Sequence, residues 1–184
     1  MIIGKNVRLR AIEKEDLPRF TAWLNDAEVR RNLLIYQPLS LVQEERWFEE
    51  ILKRPVDEQP LSIDILSGKD WRHAGNCGFF DIDQRVRSAE IGIFIGDKSL
   101  WGRGYGCEAM QLMTMHGFRN LNLNRITLRV FETNPRGIRC YEKAGFKHEG
   151  RLREAHFMEG RYIDVLVMSI LKRELEEEKN GGNQ

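Results

Sequence analysis

The chain has 184 residues, of which 41% are hydrophobic, and its 29 basic and 28 acidic side chains leave a formal net charge of +1. This length fits one domain with an ample core, and the balanced charge gives no global field that would point to nucleic acid as a partner. Three widely spaced cysteines, Cys77, Cys107 and Cys140, include no CxxC pair; this argues against a disulfide framework or a metal site and fits a reducing cytoplasm.

The opening M-I-I-G-K-N-V-R-L-R lacks the apolar stretch of a signal peptide, and no run approaches the ~18 residues of a membrane span. Val7 to Ile12 alternates like a half-buried strand, and Glu13 to Asp16 introduces a helix carrying Leu17, Phe20, Trp23 and Leu24. A second helix is expected around Val42 to Leu52, with Pro55 and Pro60 bracketing the loop after it. Leu61 to Leu66, Ala74 to Ile82 and Ala89 to Ile95 read as three strands of a meander. Tyr105 to Phe118 reads as an amphipathic helix with Ala109, Leu112, Met113 and His116 on one stripe. The strand Ile126 to Phe131 follows, then a short helix from Asn134 that closes at Gly145. Separate strands are expected at Lys147 to Arg151, around Glu154 to Met158, and at Tyr162 to Leu171, with Glu159-Gly160 as the turn between the last two. Residues 1–172 form the expected domain, and 173–184 a fraying helix end and flexible tail.

Trp101 to Ala109, W-G-R-G-Y-G-C-E-A, lies between an apolar strand and a helix. Gly102, Gly104 and Gly106 let the backbone turn tightly and approach a ligand, while the unpaired N–H groups and dipole at the helix start favour an anion. The segment therefore reads as a loop for a phosphate-bearing cofactor. A phosphoryl-transfer P-loop would continue with Lys and Ser or Thr, whereas Cys107 and Glu108 stand there. A dinucleotide fingerprint fits Gly104-x-Gly106-x-x-Ala109, with Glu132 ending the next strand. However, the motif lies past the midpoint of the chain and only one short βαβ unit can be read. A dinucleotide-dependent oxidoreductase is thus the weaker alternative.

Asn134 to Phe146, N-P-R-G-I-R-C-Y-E-K-A-G-F, supplies a second signature. Together the two segments resemble the GNAT family of acetyl-CoA-dependent N-acyltransferases. The family's loop reads Gln/Arg-x-x-Gly-x-Gly/Ala, and its following helix reads Asn, several residues, then Tyr-x-Lys-x-Gly-Phe. Trp101 stands where that loop has Gln or Arg. The resemblance runs from the R-L-R-A strand at Arg8 to the last strand near Ser169, and is nearest to the branch acting on ribosomal proteins, polyamines and aminoglycosides. It implies a single α+β domain of the GNAT fold, with a mixed, mostly antiparallel twisted sheet flanked by helices. It also implies acetyl-CoA as co-substrate without a metal, a primary amine acceptor such as a protein N-terminus or small polyamine, and direct attack in a ternary complex. In the resemblance the early helical region walls the acceptor site. A homodimer through the last strands is expected, and no membrane partner.

Acyl transfer needs a neutral amine, yet an alkylammonium of pKa ~10.4 is less than ~0.1% deprotonated at neutral pH. A proton acceptor is therefore required, along with a donor for the departing thiolate. The resemblance assigns the donor role to Tyr141. Some family members carry a Glu on the strand before the Asn-led helix, but Arg129 stands near that place, so Glu90 becomes the candidate base; the alternative for Glu90 is a solvated strand-end carboxylate. Glu132 is a weaker candidate, and His116 reads as a packed core residue. Backbone from Gly102 through Arg103, Gly104, Tyr105 and Gly106 to Cys107 would carry the diphosphate, with Arg103 able to pair with a phosphate. Ile93, Phe94 and Ile95 would offer strand backbone to the pantetheine arm. Asn134 would bind the pantetheine or its water, or cap the helix. Arg136 and Arg139 would reach the 3′-phosphate, or be solvated. Cys107 and Cys140 read as small buried hydrophobes. The missing strand Glu also leaves open a non-catalytic acyl-CoA-binding or sensor module.

Overall fold

The computed structural model describes residues 1–175, and the tail expected at 176–184 lies outside the described residues. Its strands are β1 (Ile2–Ile3), β2 (Val7–Ala11), β3 (Leu61–Ser67), β4 (Asp70–Asp83), β5 (Ser88–Ile95), β6 (Arg125–Phe131), β7 (Lys147–Met158) and β8 (Arg161–Leu171). The helices are α1 (Leu17–Leu24), α2 (Ala27–Arg30), α3 (Leu41–Ile51), α4 (Tyr105–Arg119) and α5 (Pro135–Lys143), and residues 172–175 form a further helical turn. The strands hydrogen-bond in the order β1-β2-β3-β4-β5-β6-β8-β7. The pairs β1–β2, β2–β3, β3–β4, β6–β8 and β7–β8 are antiparallel, and β5–β6 is parallel. This is the mixed, mostly antiparallel sheet of the GNAT-type α+β fold.

The chain divides into two compact units. The first comprises residues 1–79 and 92–113, the second residues 80–91 and 114–184. In the first, Val7, Leu9, Ile63 and Ile65 are buried on the strands. Helix α1 adds Leu17, Phe20 and Leu24 at helical spacing,. Asp26 caps α2, accepting from the Glu28 and Val29 amides. Ser40 and Gln43 form a reciprocal capping box that fixes the start of α3,. In the second unit, Ile126, Leu128 and Val130 of β6 pack with Ile163, Val165 and Met168 of β8 as core.

Two expectations are corrected. Lys147 to Met158 is one strand, not two: its register against β8 shifts between Leu152 and His156, where Glu154 takes a φ of 51°, so an irregularity stands where a break was read,. The buried stripe of α4 runs through Ala109, Met110, Met113, Thr114, Gly117 and Phe118, leaving Leu112 and His116 half-buried. The short β1 and α2 carry too few residues to show periodicity. At Glu159-Gly160 the turn forms as read, with both φ values positive at 51° and 80°,.

Gly75 on β4 lies so close to β5 that a Cβ there would collide with the Phe94 carbonyl. Gly75→Ala should therefore lower the melting temperature by roughly 5–10 °C, the expected cost of overpacking against backbone that cannot rotate away. Thermal denaturation followed by circular dichroism measures this.

Candidate active site

In the first unit, β5 ends with the half-buried Ile93, Phe94 and Ile95 and leads through Asp97 into Trp101. The Trp101 indole Nε1 donates to the Ile95 carbonyl at 2.7 Å, drawing the two ends of the connection together. The residue that departs from the family's Gln/Arg pattern thus closes the loop. Beyond it, Gly102 and Gly104 take φ values of 73° and 88°, and open space surrounds the position of a Cβ at each. Only glycine reaches such φ without strain. Helix α4 then begins at Tyr105, with the Glu108 amide donating to the Gly104 carbonyl at 3.0 Å. Arg103 is exposed, and Tyr105, Gly106 and Cys107 are half-buried; Cys107 and Cys140 are thus more open than the buried hydrophobes read from the sequence.

The first turn of α4 is tied down from below. The Glu108 carboxylate accepts from the Asn6 amide at 2.8 Å and from the Val7 amide at 3.2 Å. This brace was not singled out in the sequence, because its partners lie about a hundred residues away. A second unforeseen cluster anchors α1. Arg10 binds Asp16 through two hydrogen bonds of 2.7 and 2.8 Å and reaches Asp64 at 3.0 Å. Burial opposes the charge on Asp16, yet the Arg10 guanidinium and the Glu13 amide hold its carboxyl at about 2,. His73, buried beside Asp16 and Phe20, has its pKa lowered by desolvation. These groups line a polar cavity of about 370 Å³ with Arg8, Glu15, Arg19, Trp71 and Arg72.

In the second unit, Tyr141 lies on α5, half-buried, with its ring edge-on to Phe146 at 6.3 Å. Burial raises its phenol above the ordinary value, so the hydroxyl keeps its proton. Asn134 caps α5, accepting from the Gly137 amide at 2.9 Å; this is the capping alternative of the sequence reading. Glu90 sits on β5 beside Thr127 of β6 and is no solvated strand end: only 19% of its side chain is exposed, and Arg129 Nε stands 3.6 Å from its carboxylate. Burial pushes the Glu90 carboxyl up, Arg129 pulls it down, and Asp81 adds to the rise. Glu132 is committed elsewhere, accepting from the Asp164 amide at 3.0 Å and from Arg151 at 2.9 Å. Arg136 and Arg139 are exposed on α5, and His116 is half-buried.

A model of the Acetyltransferase (GNAT) domain matches residues 6–147. The chain is 31% identical over 173 residues to a spermidine N(1)-acetyltransferase of Vibrio cholerae, covering 92% of this chain and 95% of that protein. It is 34% identical over 170 residues to an uncharacterized N-acetyltransferase of Bacillus licheniformis, covering 92% and 95% respectively. The crystal structure of a Vibrio cholerae spermidine N-acetyltransferase in complex with CoA and spermine superposes with a TM-score of 0.83 at 27% identity, covering 93% of this chain and 98% of that one. The chain belongs to the GNAT family of acetyltransferases. It is an acetyl-CoA-dependent enzyme that transfers the acetyl group to an amine.

The glycine turn fits that co-substrate. Two exposed left-handed glycines with no side chain above them lead into the amides opening a 15-residue helix, and such amides bind phosphate oxygens. Gly104→Ala strains the backbone without creating a clash, so CoA affinity should fall about tenfold or more while the melting temperature moves by only a few degrees. Calorimetric titration of CoA and a thermal melt check the two halves of that expectation.

Proposed function

We propose that the acceptor is a short aliphatic polyamine, acetylated by direct attack in a ternary complex with acetyl-CoA. The observation that carries this reading is the near-complete superposition on an enzyme whose crystal structure holds CoA and spermine. Relatives named spermidine N(1)-acetyltransferase from two bacterial genera support it.

When bound, the thioester supplies the acyl carbon that the amine attacks. The amides from Gly102 to Cys107 would hold the diphosphate, and Arg103 could pair with a phosphate. Ile93, Phe94 and Ile95 would offer strand backbone to the pantetheine arm, Asn134 would bind that arm or its water, and Arg139 would reach toward the 3′-phosphate. Glu90 accepts the proton that the amine must lose, directly or through a water. Its raised carboxyl pKa makes it a better base than an ordinary glutamate,. Tyr141 presents a phenolic proton to the leaving sulfur. A thiol of ordinary pKa ~8.5 is a stronger acid than this buried phenol, so Tyr141 stabilises the thiolate by hydrogen bonding rather than by standing protonation.

No helix among the described residues is long and apolar enough to cross a membrane, and with the odd, widely spaced cysteines we place the enzyme in the reducing cytoplasm. The edge strand β7 is exposed along most of its length and supplies the interface of a homodimer. Light scattering at micromolar protein should return twice the mass of the chain, and a monomer would remove the dimer.

Tyr141→Phe should lower kcat by about a hundredfold and leave CoA affinity within about twofold. In the parent enzyme kcat/KM should fall as pH drops through the raised pKa of Glu90, because only the carboxylate accepts a proton; Glu90→Gln should be slow and should lose that acid limb. Steady-state kinetics with spermidine across pH reads both. An Gln variant that keeps the parent profile removes Glu90 as the base.

A further inference from the structure

Glu108 joins two segments that are distant in the chain. Its amide donates to the Gly104 carbonyl at 3.0 Å, so its backbone ties the glycine turn to α4. Its carboxylate leaves the helix and meets the bend between β1 and β2. There Oε1 accepts from the Asn6 amide at 2.8 Å and the Val7 amide at 3.2 Å, and Oε2 accepts from Asn6 Nδ2 at 3.3 Å. Successive backbone amides in a turn form a concavity that holds anions, and here the anion is a side chain. The bend is itself fixed: the Gly4 amide donates to the Val7 carbonyl at 2.8 Å, and the Leu66 amide of β3 donates to the Asn6 carbonyl at 2.9 Å. A bonded path therefore runs from β3 through residues 4–7 to the first turn of α4, all inside the first unit.

The two ends of this path differ in how tightly they are packed. A Cβ at Gly4 would stand 2.6 Å from Glu108 Oε1 and 3.0 Å from Leu112 Cδ1, so bend and carboxylate meet with no room for a methyl group. At the other end, nothing lies within 4 Å of the Cβ position at Gly102 or Gly104. No packing holds the turn at those two positions, and its shape depends on the bonds at its ends. A carboxylate in the opening turn of a phosphate-binding helix also carries the same sign as the ligand, and a free one would repel it. In Glu108 that charge is taken up by the N–H donors of residues 6 and 7,.

We propose that Glu108 is a positioning residue for acetyl-CoA: its bonds to residues 6 and 7 fix the amides that open α4, so the N-terminal hairpin controls cofactor affinity without touching the cofactor. The proposal rests on the reading of the glycine turn as the diphosphate site. Without the brace, the first turn of α4 and the glycines before it sample more conformations, and binding has to order them again. The effect falls on CoA affinity and leaves the acyl-transfer step unchanged.

The test follows calorimetric titration with CoA, acetyl-CoA kinetics with spermidine, and thermal melts for wild type, Glu108→Ala, Glu108→Gln, Gly4→Ala and the double variant Gly4→Ala/Glu108→Ala. Glu108→Ala should weaken CoA binding and raise KM for acetyl-CoA about tenfold, with kcat within about twofold. Glu108→Gln keeps an oxygen for the two backbone amides and should stay within about threefold of the parent. Gly4→Ala displaces the carboxylate and should weaken CoA binding about fivefold, but by less than about twofold when Glu108→Ala is already present. The titration requires no acceptor and is independent of the polyamine reading. A lowered melting temperature with CoA affinity unchanged, a kcat that falls in step with affinity, or fully additive effects of Gly4→Ala and Glu108→Ala overturns the role of Glu108. If Gly104→Ala also leaves CoA affinity unchanged, the reading of the glycine turn fails with it.

Discussion

A short turn between β5 and α4 is anchored at both ends. The backbone must leave β5, pass through two left-handed residues and enter α4 with its first amides exposed. Left unsupported, such a turn would sample many conformations, because glycines lose the most freedom on ordering. The Trp101 indole bonded to Ile95 holds one side, and the Glu108 carboxylate bonded to the amides of Asn6 and Val7 holds the other. Both anchors are formed by protein groups, so the fold itself sets the shape of the turn, and preorganisation of this kind lowers the entropic cost of binding a ligand.

In the second unit the Glu90 carboxyl is set by a balance of opposing effects. Arg129 of β6 stands 3.6 Å from the carboxylate of Glu90 on the neighbouring parallel strand. Burial and Asp81 favour the protonated acid, and Arg129 favours the carboxylate. The guanidinium therefore tempers the basicity that burial alone would give. Tyr141 is simpler: its burial holds the phenol protonated, which suits a donor.

Much of the fold was legible because its signals are local. Glycines and charged clusters mark the strand ends, α1 and α3 carry apolar residues at helical spacing, and Asn134 heads α5 as a cap. The two motifs that define the family are contiguous, so the cofactor loop and the Tyr141 helix could be read directly. Features made by distant residues were not legible. Arg10, Asp16, Asp64 and His73 come from three strands and a helical turn, and nothing in their spacing announces that they meet. The pairing of Glu90 with Arg129 depends on the register of β5 against β6, which no local pattern encodes. The irregularity at Glu154 looked like a strand break because a non-glycine residue at positive φ leaves no compositional mark.

The central claim is that the glycine turn holds the diphosphate of coenzyme A. Calorimetric titration of the folded enzyme with CoA and, separately, with pantetheine, which lacks the diphosphate and nucleotide, tests it most directly. The account predicts one CoA site per chain and pantetheine binding weaker by at least about a hundredfold, since charge-assisted contacts to several amides would be lost. Pantetheine binding as tightly as CoA would contradict it.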